Sequence, residues 1–208
     1  MAEHVQKPID YNHAIAWLGL QGKNKFGSHF TLHVEDLPVI HKLLIYFLKD
    51  SEMAFKHDIN LQKGILLAGP IGCGKTSLMT LLKLYQPVKN RFVIKSCRDI
   101  SFEFIKEGYD IIQKYSHRII NSNESIVYCF DDLGSENSLK FYGNECNVMA
   151  EILHSRYEFF IITNQLTHVT TNLSASEIEQ CYGNRVRSRM REQFNLVAFD
   201  PKSPDKRK

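Results

Sequence analysis

Residues Lys63 to Leu78 read KGILLAGPIGCGKTSL, and the order of features in this stretch decides the fold. Gly64 to Ala68 is a short apolar run of the length of a buried strand. Gly69-Pro70-Ile71-Gly72-Cys73-Gly74-Lys75-Thr76 then fits G-x-x-x-x-G-K-[ST], the phosphate-binding loop. Ser77 to Leu84 continues with helix formers and apolar residues. Glycines let the backbone wrap closely around phosphates, and a helix N-terminus offers unpaired N–H groups to anions. Lys75 brings a positive charge for the β- and γ-phosphates of a nucleotide. The Thr76 hydroxyl is a hard oxygen ligand suited to Mg²⁺. A glycine turn in a surface loop is the competing reading, and it requires neither flank.

The chain around this stretch has 208 residues, of which 43% are hydrophobic and 24% charged, enough for one domain with a proper core. No apolar run is long enough to span a membrane, and MAEHVQKPID lacks the basic-then-apolar pattern of a signal peptide. Cys73, Cys97, Cys129, Cys146 and Cys181 are scattered, with no C-x-x-C pair. That usage fits reduced thiols and a cytoplasmic protein without a zinc site. Cys73 lies inside the loop as either an activated thiol or a small filler. The net charge of +3 does not by itself argue for nucleic acid. Positive charge gathers between Arg185 and Arg191 and in the tail, Lys202 to Lys208, whose bland reading is a solvated segment.

In order, residues 1 to about 12 read as poorly ordered, and 13 to 35 carry no firm periodicity. Asp36 is placed as the N-cap of a helix to Leu48, with Pro38 in its first turn. Arg91 to Lys95 reads as a strand. Ser101 is placed as the cap of a helix to about Ile120, with Phe102, Ile105, Tyr109, Ile112 and Ile119 as its apolar stripe. Asn121 to Ser125 is a polar turn. Ile126 to Phe130 is a wholly apolar strand ending in Asp131-Asp132. Cys146 to about Phe159 is helical, and Thr167 to Thr171 is a β-branched strand ending at Asn172. Ser174 caps a helix beginning near Glu177, which Gly183 interrupts, and Asn195 to Phe199 is the last strand. Strands without polar alternation, separated by helices, indicate a five-stranded parallel sheet covered on both faces, an α/β three-layer sandwich. The expected division is an N-terminal extension at 1–35, a core at 36–199 and a basic tail at 200–208.

Asp131, at the end of an apolar strand downstream of a phosphate loop, is placed to share the Mg²⁺ held by Thr76. Side chains alternate along a strand, so Asp132 is expected to face the attacking water instead. It is one methylene shorter than glutamate, which puts its reach and the turnover rate in question; its bland reading is an N-cap. A polar residue ending a neighbouring strand can also hold that water. ITN and TTN offer Asn164 and Asn172, and Asn172 follows the more regular strand. Arg185 and Arg189 share one helical face, with Arg187 and Arg191 opposite. One pair can be offered to a neighbour's γ-phosphate, or all four can form a solvated basic helix.

GPIGCGKT, YCFDDLG, HVTTNLS and YGNRVRSRMRE, in that order, resemble the AAA+ ATPases of the DnaC type, the replicative helicase loaders, and their IstB-type relatives, the helper ATPases of transposition. The resemblance covers about residues 60 to 199. It implies a P-loop core that binds ATP and Mg²⁺ through Gly69 to Ser77 and hydrolyses ATP. It places the sensor-1 asparagine at Asn172 and the arginine finger at Arg189, with Arg185 as second candidate. A finger acting in trans implies a homo-oligomer, with a replicative helicase or a transposase as client. The Ser101 to Ile120 stretch falls where such proteins contact single-stranded DNA, with Lys106, Lys114, His117 and Arg118 available or simply solvated. Departures are expected at both ends: no long N-terminal helicase-binding or zinc domain, no helical lid and no sensor-2 arginine. A small-molecule kinase and an ATP-gated adaptor with little hydrolysis are the alternatives from other classes.

Overall fold

A computed structural model describes residues 9–116, 126–136, 139–141 and 144–207. Its frame is a five-stranded parallel sheet of β1 (Gly64–Ala68), β2 (Val93–Ser96), β3 (Tyr128–Leu133), β6 (Thr167–Thr171) and β7 (Phe194–Ala198). The spatial order is β2-β3-β6-β1-β7. A small antiparallel hairpin, β4 (Leu139–Phe141) with β5 (Asn144–Cys146), stands apart from it.

Period-two alternation explains why the sheet is covered twice. Ile65 and Leu67 of β1 point into one core, and Leu66 between them points into the other. The first core lies under α1 (Tyr11–Phe26), α2 (Leu37–Phe47) and α4 (Lys75–Tyr85), with the short α3 (Ser51–Lys56) following α2. The second core lies under α5 (Cys97–Glu107), α6 (Asp110–Ser116), α7 (Val148–Thr163) and α8 (Ala175–Gln193). Strands with both faces buried read as continuous apolar runs, as β1 and the start of β3 do. The expected three-layer α/β sandwich is the fold observed.

Several local expectations need correction. Tyr11 and Asn12 are not irregular: Asp10 caps α1 by accepting from the His13 amide at 2.9 Å. This helix was invisible to periodicity because only Ala14, Leu18 and Gly22 are buried along it, and Gly22 is where the Phe30 ring packs. Asp36 stands at the start of α2 but its side chain caps nothing; it pairs instead with Lys206. The stretch after β2 is two helices rather than one. Ser96, not Ser101, is the cap, and Ser101 is buried with its hydroxyl bonded to the Cys97 carbonyl. Gly108 ends α5. Phe102, Ile105 and Tyr109 are then about half exposed, while Ile100, Phe104 and Ile111 fill the core. His117, Arg118, Ile119, Ile120 and the turn Asn121 to Ser125 lie outside the described residues.

Candidate active site

The P loop emerges from the C-terminal end of β1, between β6 and β7, and runs into α4. Gly72 and Gly74 have φ of +78° and +104°, conformations a side chain rarely tolerates, and Gly74 ends the loop at the head of α4. Lys75 is 7% exposed. Its Nζ folds back on the Gly69 and Pro70 carbonyls at 2.8 and 2.9 Å, so the ammonium sits at the centre of the loop. Cys73 is buried and its thiol is pushed up by that burial, against the opposing pull of Lys75 and Lys206. It is a filler of the loop, not a nucleophile.

Beside the loop, β3 delivers its two carboxylates. The Thr76 hydroxyl donates to both oxygens of Asp131, at 2.9 and 3.0 Å. A hydroxyl and a carboxylate converging from two elements are the hard-oxygen pair that Mg²⁺ takes from protein, with water and phosphate completing its shell. Thr170 of β6, which the sequence reading passed over, completes the arrangement. Its hydroxyl donates to Asp131 Oδ1 at 2.7 Å and accepts from the Asp132 amide at 2.8 Å. The signal was present: Thr170, the first residue of TTN on the neighbouring strand, reaches the same sheet edge.

Asp132 departs from simple alternation. It sits at φ +59°, and the pairing of β3 with β6 shifts register between Phe130 and Leu133. This bulge turns consecutive carboxylates toward one cavity. A cavity of about 690 Å³ brings together Lys75, Thr76, Asp131, Asp132 and Asn172. Asn172 follows the C-terminal end of β6, whereas Asn164 caps α7 in the left-handed region, ahead of the strand's N-terminal end. The opposite wall is built by Phe26, His29, Phe30 and His33 from the segment between α1 and α2. The aromatic and histidine density of FGSHFTLH was the sequence signal for that wall. Lys206 and Arg207 also line the cavity.

Neither Arg185 nor Arg189 lines it. Both follow Gly183, whose φ of +84° kinks α8. Arg189 is held locally by His154 Nδ1 at 3.0 Å and Glu158 at 3.7 Å, over the Tyr157 ring. The neighbouring charge of Arg189 and burial lower the His154 pKa, burial more so. Arg187 pairs with Glu179. Arg185 is exposed and has no ion pair among the described residues. The loop after β3 is tied to the same helix, since Glu136 accepts from the Gly134 amide and from the Tyr182 hydroxyl. Of the cations weighed for DNA contact, Lys106 is exposed, but Lys114 is engaged by Glu103 at 2.9 Å. Burial opposes ionisation of Glu103, yet hydrogen bonds from Lys95, Lys114 and Tyr115 hold it down to about 2.

No family model matches the chain, and no curated protein matches it. Solved structures do. A DnaC helicase loader superposes with a TM-score of 0.55 at 20% identity, covering 83% of this chain and 94% of that one. DnaI gives 0.53 at 17% identity, covering 83% and 89%. AMPPCP-bound DnaA from Aquifex aeolicus gives 0.52 at 15% identity, covering 82% of this chain and 48% of that one. Among the described residues no helix is long and apolar enough to cross a membrane. The chain shares its fold, the five-stranded α/β sandwich with a P loop after β1, with these loader and initiator structures.

Proposed function

We propose that the chain binds ATP with Mg²⁺ and hydrolyses it, as a loader-like AAA+ protein that assembles with copies of itself on replication machinery. The observation that carries this reading is the convergence of the Thr76 hydroxyl on the Asp131 carboxylate beside Lys75. In that role Thr76 and Asp131 would hold the metal, whose charge would offset that of the phosphates. Lys75 and the loop amides bind the phosphates, while Asp132 and Asn172 orient the attacking water. Two structures of similar fold support the nucleotide, since both are of DnaA with AMPPCP, one of them with single-stranded DNA.

Arg185 and Arg189 do not line their own cavity, so their place in this reading is a neighbouring subunit's γ-phosphate. Exposure favours Arg185; the resemblance favours Arg189. Mixing Lys75→Ala with either arginine variant tests the trans role. Activity recovered in the mixture supports it, and none recovered from two folded proteins removes it. The exposed Phe102, beneath Arg98 at 5.6 Å, with Lys106 one turn further on, supplies a stacking platform and cations for single-stranded DNA. The expected binding is weak and falls gently with salt, since few phosphates are contacted.

A second reading, an ATP-gated adaptor, is favoured by one observation. Among the described residues the bonds to Asp132 are made by its backbone, and its short carboxylate stands exposed. Multiple-turnover phosphate release separates the two: sustained release identifies the ATPase, and binding without release identifies the adaptor.

A further inference from the structure

The residues after β7 do not trail into solvent. The Phe199 amide donates to the Ala68 carbonyl at 2.9 Å, and the Asp200 side chain accepts from the Lys202 amide at 2.7 Å. This turn brings Asp205 to Arg207 back across the P loop. The Lys206 amide donates to the Gly72 carbonyl at 3.0 Å, and its Nζ donates to the Cys73 carbonyl at 3.0 Å. The same ammonium is paired with Asp36 at the head of α2 and lies 5.3 Å from the Phe199 ring centroid. Both ends of the pair are withdrawn from water, with side-chain exposures of 14% and 7%. The Asp205 carboxylate fills the space beside Gly72, where a Cβ would meet its Oδ1 at 2.0 Å.

The direction of these contacts matters. In a planar trans peptide the C=O and N–H point opposite ways. A segment that engages the carbonyl of Cys73 therefore lies behind the peptide and leaves the Gly74 N–H facing away from it. A cation on the carbonyl also polarises that peptide, making its N–H a better donor to an anion. Lys206 and Arg207 also line the cavity, so the tail reaches the site from the carbonyl side of the loop and leaves that N–H open to phosphate.

We propose that Lys206 is a positioning residue for nucleotide binding: anchored to Asp36, it clasps the P loop from behind and fixes the Gly72–Gly74 peptides for phosphate. The nucleotide part rests on the ATP-binding reading above; the clasp itself does not. Two arms keep the two apart. In the nucleotide-free full chain, hydrogen exchange is read at the Cys73 and Gly74 amides for the parent, Lys206→Met, Lys206→Arg and Asp36→Asn. Exchange should rise about tenfold in Lys206→Met and Asp36→Asn, with Lys206→Arg close to the parent, as for loss of one charge-assisted bond. Exchange at β6 amides serves as the folding control. In the second arm, MgATP affinity should weaken about tenfold in Lys206→Met while turnover at saturation changes little. Unchanged loop exchange in both Lys206→Met and Asp36→Asn would overturn the clasp whether or not nucleotide binds. Tighter MgATP binding by Lys206→Met would overturn it in favour of a plug. If the parent binds no MgATP, the functional reading falls, and the exchange arm still decides the clasp.

Discussion

The two ends of the parallel sheet carry polar residues of the same kinds and use them in opposite ways. β6, THVTT, shows both along one strand. At its C-terminal end, Thr170 holds Asp131 at the edge of an open cavity. At its N-terminal end, Thr167 and His168 are sealed in the core, where Thr167 accepts from Arg156 Nε at 2.6 Å. Arg156 is 1% exposed and also donates to the carbonyls of Tyr115, Ile126 and Leu166. Burial pulls its pKa down to about 10, which leaves it charged at neutral pH. The guanidinium ties α6, α7 and the entries to β3 and β6 together while stacking over Tyr128 at 5.3 Å. A buried charge with its hydrogen bonds satisfied fixes structure; a carboxylate at an open edge is free to exchange a hydroxyl partner for a metal. In a parallel sheet every strand delivers its C-terminal residue to one edge, so chemistry collects there and fastening collects at the other.

That contrast can be broken from either end. The largest effect is expected at Arg156→Met, which takes the donor from the Thr167 hydroxyl and the Tyr115 and Leu166 carbonyls in the core, while the Ile126 carbonyl keeps Gln165. Stability should fall by about 3 kcal/mol or more by denaturant titration, while nucleotide affinity per folded molecule stays unchanged. A loss of affinity with full stability would erase the distinction between the ends. Asp131→Asn should do the reverse. Turnover should fall about 100-fold and Mg²⁺ half-saturation should rise, with little change in unfolding midpoint. An Mg²⁺ titration identical to the parent's would remove the metal role. Thr170→Val should raise Mg²⁺ half-saturation about tenfold, because Asp131 loses the hydroxyl that orients it.

The effect that is smallest near neutral pH is a pH dependence. His168 is buried against Phe47 and Phe92 and accepts from the Ile65 amide through Nδ1 at 3.1 Å. Burial, with a smaller push from Arg156, lowers its pKa from 6.5 to about 3. Between those values the unfolded chain binds a proton that the native state refuses, so stability falls as pH drops from about 6.5 towards 3. The slope is up to about 1.4 kcal/mol per pH unit. His168→Gln keeps an acceptor but cannot titrate, so it should flatten this part of the stability–pH curve. An unaltered curve would show that the imidazole is not the group responsible.

The frame was legible because its signals are short-range. An apolar run, a glycine loop at fixed spacing and capping residues such as Ser174 act within a few residues of each other. β1, β6 and the kink at Gly183 stand where these signals put them. The site was legible only in part. Lys75, Thr76 and Asp131 lie in or just beyond recognisable motifs. Thr170 reaches Asp131, and Phe26, His29, Phe30, His33 and Lys206 reach the cavity, through tertiary packing: composition flags such residues but does not say where they meet. The face of α5 was misjudged for a related reason. Gly108 ends α5, and of the stripe drawn for one long helix Phe102, Ile105 and Tyr109 are half exposed, while Ile112 packs against the core that Phe104 and Ile111 fill. Asp36 shows the same limit: its position suits a cap, and a lysine 170 residues away claims it.

The central claim is that the open edge of the sheet is a MgATP site built on Lys75. Calorimetric titration of MgATP into the parent and Lys75→Ala, with phosphate release followed on the same samples, tests it most directly. The account predicts saturable binding and release by the parent, and loss of binding or hydrolysis in a folded Lys75→Ala. Equal affinity and equal turnover in the two proteins would contradict it.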